Sequence, residues 1–116
     1  MSCIFCKIID GKIPSTKVYE NEYVVAIKDI NPVAPVHVLV IPKTKDKHLD
    51  SILDITSDDG ELIMEIHKAI KEVAVQTGIC KDGFRVINNC GKYGGQTVDH
   101  LHFHVIGGKN IGEKLV

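Results

Sequence analysis

Apolar side chains recur at intervals of three and four residues in the second half of the chain, which is the spacing of one face of an α-helix. The residues of this stripe are Leu62, Ile63, Ile66, Ile70 and Val73. Thr56 or Ser57 can cap the N–H groups at the start of the helix, and Gly78 is a typical C-terminal stop. Short helical turns are expected over residues 4–10 and within residues 48–53.

Runs of apolar, often β-branched residues bounded by polar residues or proline predict five strands. We expect them at residues 18–20, 23–29, 37–41, 84–88 and 98–106. Asn21–Glu22 joins the first two strands as a hairpin, and Pro42 ends the third. Five strands and one long helix, with antiparallel neighbours, indicate an α+β fold.

Length, composition and charge restrict the class of protein. A chain of 116 residues is expected to form a single domain over residues 1–116, and its 44% hydrophobic and 25% charged residues are ordinary for a globular protein. The net charge of −1 provides no basic field for nucleic acid, and no apolar run is long enough to cross a membrane. The first four residues lack the features of a signal peptide, so we expect a cytoplasmic protein whose four cysteines are reduced thiols or metal ligands.

Three of the six histidines occupy alternate positions, at His100, His102 and His104. Alternate side chains of an extended strand share one face, so the pattern predicts a row of three imidazoles. Imidazole can act as a nucleophile, a proton carrier or a metal ligand. A solvated row is a poor explanation, because histidine has no special preference for exposed strands. The spacing leaves both nucleophilic catalysis and a three-histidine metal site open.

A glycine-rich stretch, residues 89–97, comes directly before the histidine row. Its glycines are Gly91, Gly94 and Gly95. Glycines let the backbone approach a ligand and present N–H groups to an anion, while Gln96 and Thr97 add side-chain donors and Lys92 adds a positive charge. Glycines alone are equally typical of a plain connecting loop. The position beside the histidines favours an anion site and therefore chemistry at phosphorus.

Cys3 and Cys6 have the spacing of two ligands of one zinc ion. A complete structural site needs two more ligands, for which His48 and His100 are the candidates. A redox pair and two buried thiols are the alternatives. The other two cysteines lack such spacing and are interpreted as ordinary thiols.

Three further polar residues have ordinary local explanations. His37 heads a buried strand, where a histidine bonded to the backbone is the simplest interpretation. Asp29 closes a strand and is a good turn residue. His67 lies beside the apolar stripe of the long helix, where a structural role is favoured.

The run from His100 to Ile106 resembles the signature of the histidine-triad family, in which three histidines alternate with apolar residues. Other segments resemble the nucleotide-binding Hint branch of that family, in the same order along the chain. They are residues 4–9, 13–14, 29–37, 40–43 and 94–98. The resemblance covers nearly the whole chain. It implies a five-stranded antiparallel sheet with one long helix, and a homodimer in which two sheets join into one.

The resemblance further implies an enzyme that acts on nucleoside 5′-phosphate derivatives, usually purine phosphoramidates of the AMP or GMP type. His102 would attack the α-phosphorus and form a nucleotidyl-imidazole, which water hydrolyses without a cofactor. The main-chain carbonyl of His100 would orient this nucleophile. The implied catalytic residues are His37, in a proton relay, Thr97, near the leaving group, and His102 and His104.

The nucleotide site implied by the resemblance surrounds these residues. His104 and Asn89 would hold the phosphate oxygens, Gly95 and Gln96 are the loop residues assigned to nucleotide binding, and Asp29 would bind the ribose hydroxyls. The base would lie against Ile4, Phe5, Ile8, Ile27, Ile30 and Leu39.

Members of the family with the paired cysteines use them for one structural zinc ion per chain, with histidines that match His48 and His100 here. His100 would then lie at the start of its strand and turn away from His102. Only residues 109–116 follow Gly108. A tail in this position reaches the partner subunit's site in some relatives, so the specificity for the leaving group stays open.

Other functions also stay open from the sequence. One is that of the dinucleoside polyphosphate hydrolase branch of the same superfamily, from which Gln96 does not separate this chain. Another is that of a non-catalytic nucleotide-binding module, against which the set of His37, Asn89, His102 and His104 argues. A hydrolytic zinc ion at the triad is a further alternative.

Overall fold

The computed structural model describes residues 3–44 and 47–116. The helices are α1 (Ile4–Ile9) and α2 (Gly60–Thr77), and 3₁₀ turns cover Ile52–Asp54 and Ser57–Asp59. The strands are β1 (Lys17–Glu20), β2 (Val24–Lys28), β3 (Val36–Pro42), β4 (Arg85–Ile87) and β5 (Phe103–Gly107). All strand pairs are antiparallel, in the order β1-β2-β3-β5-β4. The expected α+β architecture of five strands and one long helix is confirmed.

Two parts of the chain lie outside these ranges. They are residues 1–2, which belong to the segment judged to lack signal-peptide features, and residues 45–46. Within the described residues, no helix combines the length and apolar character needed to cross a bilayer.

The long helix α2 begins at Gly60, slightly later than its apolar pattern predicts. Thr56 caps a preceding 3₁₀ turn instead, and the Asp59 carboxylate accepts the main-chain N–H of Thr56 in return. Gly78 ends α2 as predicted, with a φ of 77° that a residue with a side chain rarely adopts. The capped turn and the glycine therefore define the two ends of the helix.

The two faces of the sheet are packed by different helices. Residues of the core between α2 and the sheet are Val24, Ala26, Val38, Val40, Leu49, Ile66, Ala69, Ile70, Val73, Leu101 and Val105. On the opposite face, Phe5 and Ile8 of α1 pack with Val25, Ile27, Leu39 and Ile41. The register pairs His104 with Leu39, and His37 lies two residues before Leu39. Both imidazoles therefore lie on the face that α1 packs against.

The fifth strand is shorter than its sequence pattern predicts. A strand is expected over residues 98–106, whereas β5 covers Phe103–Gly107. The residues before it bond to another segment, because the N–H of Leu101 donates to the carbonyl of Leu49 and the His48 ring donates to the carbonyl of Asp99. These bonds replace sheet pairing, so His100, Leu101 and His102 precede the paired part of the strand.

We expect Ile66→Ala to lower the free energy of unfolding by about 2–5 kcal/mol, because this fully buried side chain leaves a cavity when it is truncated. Met64→Ala, at a position of α2 that is 57% exposed, should change it by less than about 1 kcal/mol. Urea denaturation of the two variants measures the difference. Equal losses would contradict the packing of α2 on the sheet.

Candidate active site and metal centre

His102 lies immediately before β5 and is 6% exposed. Its Nδ1 is 2.7 Å from the main-chain oxygen of His100. A carbonyl oxygen only accepts hydrogen bonds, so Nδ1 carries the hydrogen and Nε2 of the neutral ring keeps its lone pair. A lone pair held in a fixed direction makes this ring a candidate nucleophile.

Phe5 of α1 supports the ring of His102. The two rings meet edge to face, with their centroids 5.0 Å apart and an interplanar angle of 79°. Phe5 makes a similar contact with His100, at 6.0 Å. Edge-to-face contacts of this kind are favourable between aromatic rings. One side chain of α1 therefore packs against both histidines.

His104 and His37 face each other from the adjacent strands β5 and β3. His37 Nε2 is 2.8 Å from His104 Nδ1 and 3.3 Å from a carboxylate oxygen of Asp29. The rings of His102 and His104 are 5.2 Å apart between centroids. Three of the predicted site residues and the proposed nucleophile thus form one continuous group.

Burial lowers the pKa of His104, and together with the neighbouring rings of His102 and His37, which repel a positive charge, it brings the pKa to about 4. The ring is therefore neutral at neutral pH. A neutral imidazole has one nitrogen that donates and one that accepts, so the partners of His104 decide which atom it offers to a ligand.

His100 and His102 both contact Phe5 of α1, while Leu101 between them packs in the core under α2, so the predicted alternation of side chains extends back to His100. The ring of His100 is completely buried and faces the cysteines, with Nδ1 3.3 Å from Cys3 Sγ and 3.5 Å from Cys6 Sγ. The three imidazoles do not converge on one point, and the three-histidine metal site is not formed.

The side chains of Cys3, Cys6, His48 and His100 form a separate group, whose four ligand atoms lie within 4.8 Å of one another. Cys3 is the N-cap of α1, and its sulfur accepts the main-chain N–H of Cys6. This cap turns both sulfurs toward the two histidines. The predicted ligand set is therefore assembled in a geometry that could hold a metal ion.

Both histidines of this group leave the same nitrogen available. The Nε2 of His100 donates to the carbonyl of Pro42 at 2.9 Å, and the Nε2 of His48 donates to the carbonyl of Asp99 at 2.7 Å. Each Nδ1 then keeps its lone pair and faces a cysteine sulfur. Donation of the second ring N–H to a carbonyl is typical of histidines that bind metals.

Burial, together with the hydrogen bond with Cys3, raises the pKa of the Cys6 thiol to about 11. Burial also lowers the pKa of His100. The Cys6 thiol and the His100 ring are therefore both uncharged at neutral pH. A bound cation would release the thiol protons and compensate the two negative sulfurs.

The glycine-rich loop does not present its glycine N–H groups to an anion, which corrects the expectation from sequence. The N–H groups of Gly94, Gly95 and Gln96 donate to carbonyls within the loop, and that of Gly91 donates to the side chain of Gln96. A Cβ at Gly94 would lie 2.4 Å from the carbonyl oxygen of Cys90. The glycines therefore allow a tightly closed turn rather than an open cradle.

The polar side chains around this loop have different uses. Gln96 donates to the carbonyls of Asp50 and Val98, at 2.6 and 3.0 Å, so its amide ties the loop to neighbouring backbone. Thr97 is exposed and Asn89 is half-buried. Among the described residues, neither side chain hydrogen-bonds to a histidine of the triad.

Asn88 is a residue of the site that the sequence did not indicate. Its side-chain N–H donates to the carbonyl of His102 at 2.9 Å, and its Oδ1 is buried without a hydrogen-bond partner in the described structure. This bond fixes the backbone of the candidate nucleophile. Asn88 and Asn89 are adjacent in the sequence, so the residue type alone does not indicate which of them contacts His102.

A cleft of about 490 Å³ lies between α1 and the end of β2. It brings together five predicted residues, which are Ile4, Ile8, Ile27, Asp29 and Ile30. It is also lined by Ile13, Pro14, Ser15, Thr16 and Lys28, which were not predicted. Phe5 and Leu39 are buried in the cluster beneath α1. Asp29 belongs to this cleft and to the histidine group, so the two features adjoin.

Comparison with known proteins gives consistent results. The family model described as scavenger mRNA decapping enzyme C-term binding matches residues 2–114. A HIT-like protein of Chlamydia pneumoniae is 48% identical over 109 residues, which cover 94% of this chain and 96% of the relative. The purine nucleoside phosphoramidase of Escherichia coli K12 is 38% identical over 112 residues, which cover 97% and 92% of the two chains.

Solved structures show the same relationship. A HIT family hydrolase from Clostridium thermocellum superposes with a TM-score of 0.94 at 50% identity, over 99% of this chain and 97% of the other. A histidine triad protein from Clostridium difficile gives a TM-score of 0.91 at 52% identity, over 98% and 96%. The sequence signature, the fold and these relatives together place the chain in the histidine-triad (HIT) superfamily.

Proposed function

We propose that this protein is a hydrolase of nucleoside 5′-phosphate derivatives that acts at the α-phosphorus, with purine phosphoramidates as the substrate class. The observation that carries the proposal is the orientation of His102, whose Nδ1–H is bonded to the His100 carbonyl while Nε2 keeps its lone pair. The related phosphoramidase of Escherichia coli and the HIT hydrolase from Clostridium thermocellum support this class of activity.

The proposed reaction has two displacements at phosphorus. His102 Nε2 attacks the α-phosphorus, a P–N bond to the ring forms, and the P–N bond to the leaving amine breaks as the amine takes up a proton from solvent, which the attacking water of the second step returns. Water then attacks the nucleotidyl-imidazole, and the products are the nucleoside monophosphate and the free ring. Covalent catalysis divides one difficult hydrolysis into two easier steps, and these steps need no cofactor.

The surroundings of His102 suit the two ends of the substrate. The cleft that contains Ile4, Ile8 and Ile27 offers apolar walls for a purine base, and Asp29 at its edge can accept hydrogen bonds from ribose hydroxyls. His104 lies beside the nucleophile, where it can hold a phosphate oxygen. Asn89 would hold another oxygen, as the family resemblance implies.

The glycine-rich loop completes the proposed site. We assign Gly95 and Gln96 to the shape of the loop that borders the phosphate, and Thr97 to the neighbourhood of the leaving group. The exposed position of Thr97 is compatible with this role.

We further propose a homodimer in which two sheets join at β4. This strand lies at the edge of the sheet and pairs only with β5 among the described strands. Val86 on β4 is 42% exposed and Phe84 beside it is 38% exposed. An unpaired edge with exposed apolar side chains favours association with a second edge.

We propose zinc as the metal held by Cys3, Cys6, His48 and His100, with one ion per chain. A tetrahedral zinc ion with ordinary bond lengths separates a sulfur and a nitrogen ligand by about 3.6 Å. Three of the four sulfur–nitrogen distances of the group are 3.3, 3.5 and 3.8 Å. The ion would supply a structural cross-link between α1 and the residues before β5, and the proposed reaction does not pass through it.

We expect His102→Gly to lower turnover of an AMP phosphoramidate by at least about a thousandfold while AMP binding persists, because the nucleophile is lost and the cleft remains. His67→Gln, on the exposed side of α2, is the matched control and should retain activity. Turnover, AMP titration and mass spectrometry of a quenched reaction are the measurements. Retention of most activity by His102→Gly, or no adduct on His102, would contradict the mechanism.

The same assay separates the proposed substrate class from the alternative one. We expect faster cleavage of the AMP phosphoramidate than of a diadenosine polyphosphate, since the leaving amine is readily protonated. The opposite order would favour the dinucleoside polyphosphate hydrolase branch. Binding of AMP with no turnover of either compound would favour the alternative of a non-catalytic nucleotide-binding module.

We expect Cys3→Ser to reduce the zinc content from about one ion per chain and to lower the free energy of unfolding by more than about 2 kcal/mol, because a ligand of the cross-link is lost. Cys80→Ser, at an exposed thiol outside the group, is the control. Metal analysis and urea denaturation measure both effects. Unchanged zinc content in Cys3→Ser would exclude the proposed ligand set.

Stability should fall as the pH falls from about 6.5, the ordinary pKa of histidine, to about 4, the pKa of His104 in the folded protein. In this window the unfolded chain binds a proton at His104 and the folded chain does not, so protonation favours unfolding. Allowing for solvent screening of a half-buried ring, we expect a loss of about 1–2 kcal/mol relative to His104→Gln. Urea denaturation at several pH values measures the free energy of unfolding of the wild-type protein and of His104→Gln. Equal changes of the two free energies with pH would contradict the lowered pKa of His104.

A further inference from the structure

A main-chain N–H group beside His37 determines which ring nitrogens of His37 and His104 carry a hydrogen. The N–H of Val33 donates to Nδ1 of His37 at 3.2 Å. A backbone N–H can only donate, so Nδ1 of His37 must keep its lone pair. A neutral ring in this position therefore carries its hydrogen on Nε2.

The same reasoning extends to His104. Its Nδ1 lies 2.8 Å from Nε2 of His37, and two ring nitrogens at this distance need one hydrogen between them. That hydrogen belongs to His37, so Nδ1 of His104 accepts it. The neutral ring of His104 then carries its own hydrogen on Nε2, the nitrogen for which the described residues provide no partner.

We propose that the main-chain N–H of Val33 is a positioning group that sets both His37 and His104 in the Nε2–H form, so that His104 offers a fixed hydrogen-bond donor to a phosphate oxygen. The identity of the anion rests on the proposed function. His102 has the reverse arrangement, with its hydrogen on Nδ1. His102 thus offers a lone pair that can attack phosphorus, and His104 offers an N–H that can stabilise the negative charge developing on the phosphate.

This arrangement gives His37 a different role from the proton relay implied by the family resemblance. A protonated His37 would carry hydrogens on both nitrogens, and its Nδ1–H would then face the N–H of Val33 at 3.2 Å. Proton uptake would break this hydrogen bond and bring two donors together. The carboxylate of Asp29 lies 3.3 Å from Nε2, where its negative charge favours a hydrogen on that nitrogen. His37 therefore acts as a donor that stays neutral through the reaction.

The hydrogen bond from Val33 also argues against a second metal site. The ligand atoms of Asp29, His37 and His104 lie within 4.8 Å of one another, which is close enough for one ion. A metal ion at Nε2 would force the hydrogen of a neutral His37 onto Nδ1, against the N–H of Val33. The chemistry of this group favours a hydrogen-bonded chain instead.

The turn that carries Val33 is well fixed. It connects β2 to β3 and contains Pro32 and Pro35, each of which restricts the backbone. At its start, the N–H of Asp29 donates to the carbonyl of His37 at 3.0 Å, and the Asp29 carboxylate accepts the N–H of Asn31 at 2.8 Å. The N–H of Val33 is therefore held between two prolines, in a turn whose start is fixed by one backbone bond and one side-chain bond.

Long-range proton–nitrogen correlation NMR of the ¹⁵N-labelled full chain tests the inference directly, because it reports which ring nitrogen is protonated. At neutral pH we expect hydrogen on Nε2 of His37 and His104. Single His→Gln variants assign the signals. Hydrogen on Nδ1 of either ring, or on both nitrogens of His37, would overturn the proposal.

The role of Val33 is tested by Val33→Pro, which removes the N–H, with Val33→Ala, which keeps it, as the matched control. We expect Val33→Ala to retain the pattern of ring hydrogens and Val33→Pro to gain a population of His37 with hydrogen on Nδ1. On an AMP phosphoramidate, kcat of Val33→Pro should lie at least about tenfold below that of Val33→Ala, with KM values within about threefold. An unaltered NMR pattern in Val33→Pro overturns the assignment, and the wild-type spectrum decides the case if this variant does not fold.

A second pair of variants separates a fixed donor from a proton relay. In His37→Gln the amide N–H takes the place of Nε2–H but cannot carry a proton, and His37→Leu removes the donor altogether. We expect a loss in kcat of about tenfold or less for the first and of at least about a hundredfold for the second. Equal losses would support a relay and overturn the proposal. Wild-type protein that forms no adduct on His102 would refute the proposed function alone, since the NMR pattern is read without substrate.

Discussion

The hydrogen bond from His102 Nδ1 to the carbonyl of His100 is the contact on which the candidate site depends. It fixes which nitrogen of His102 keeps a lone pair, because a main-chain carbonyl oxygen can accept a hydrogen bond but cannot donate one. The same residue 100 sends its side chain into the group with the two cysteines. The orientation of the candidate nucleophile and the geometry of the candidate metal centre therefore depend on the same stretch of backbone.

Three consecutive side chains in this stretch enter three different surroundings. His100 is buried beside the cysteines, Leu101 is buried in the core under α2, and His102 lies against Phe5 below the open face. The N–H of Leu101 is bonded to the carbonyl of Leu49, which prevents this segment from joining the sheet. A packed core, a set of metal-type ligands and a reactive ring are thus ordered by one short bend.

Much of the architecture is predictable from the sequence, because it follows from side-chain periodicity. The apolar stripe of α2, its glycine stop and the positions of the strands along the chain all have local causes. The bend before β5 has none, since it arises from hydrogen bonds to the distant segment around Leu49. The expectation that the glycine N–H groups bind an anion fails in the same way. The sequence shows that a glycine backbone can adopt many conformations, but only the folded loop shows which groups accept these N–H groups.

The candidate site likewise has features that the sequence predicts and features that it does not. The family resemblance identifies the cysteine and histidine group and five lining residues of the cleft, because side-chain identity carries that information. It cannot indicate the N–H of Val33, since every residue except proline has one. Nor does it separate Asn88 from Asn89, although only the first is bonded to His102 in the described structure.

The short helix α1 has a consequence for how the two halves of the site affect each other. A helix of six residues is too short to be stable by itself, and this one is secured by Cys3 at its cap and by Phe5 and Ile8 beneath it. Its outer residue Ile4 forms part of the cleft. A cation bound by the cysteines would stabilise α1 and with it one wall of the cleft. By thermodynamic reciprocity, a cleft ligand that stabilises α1 would strengthen retention of the cation by the same factor.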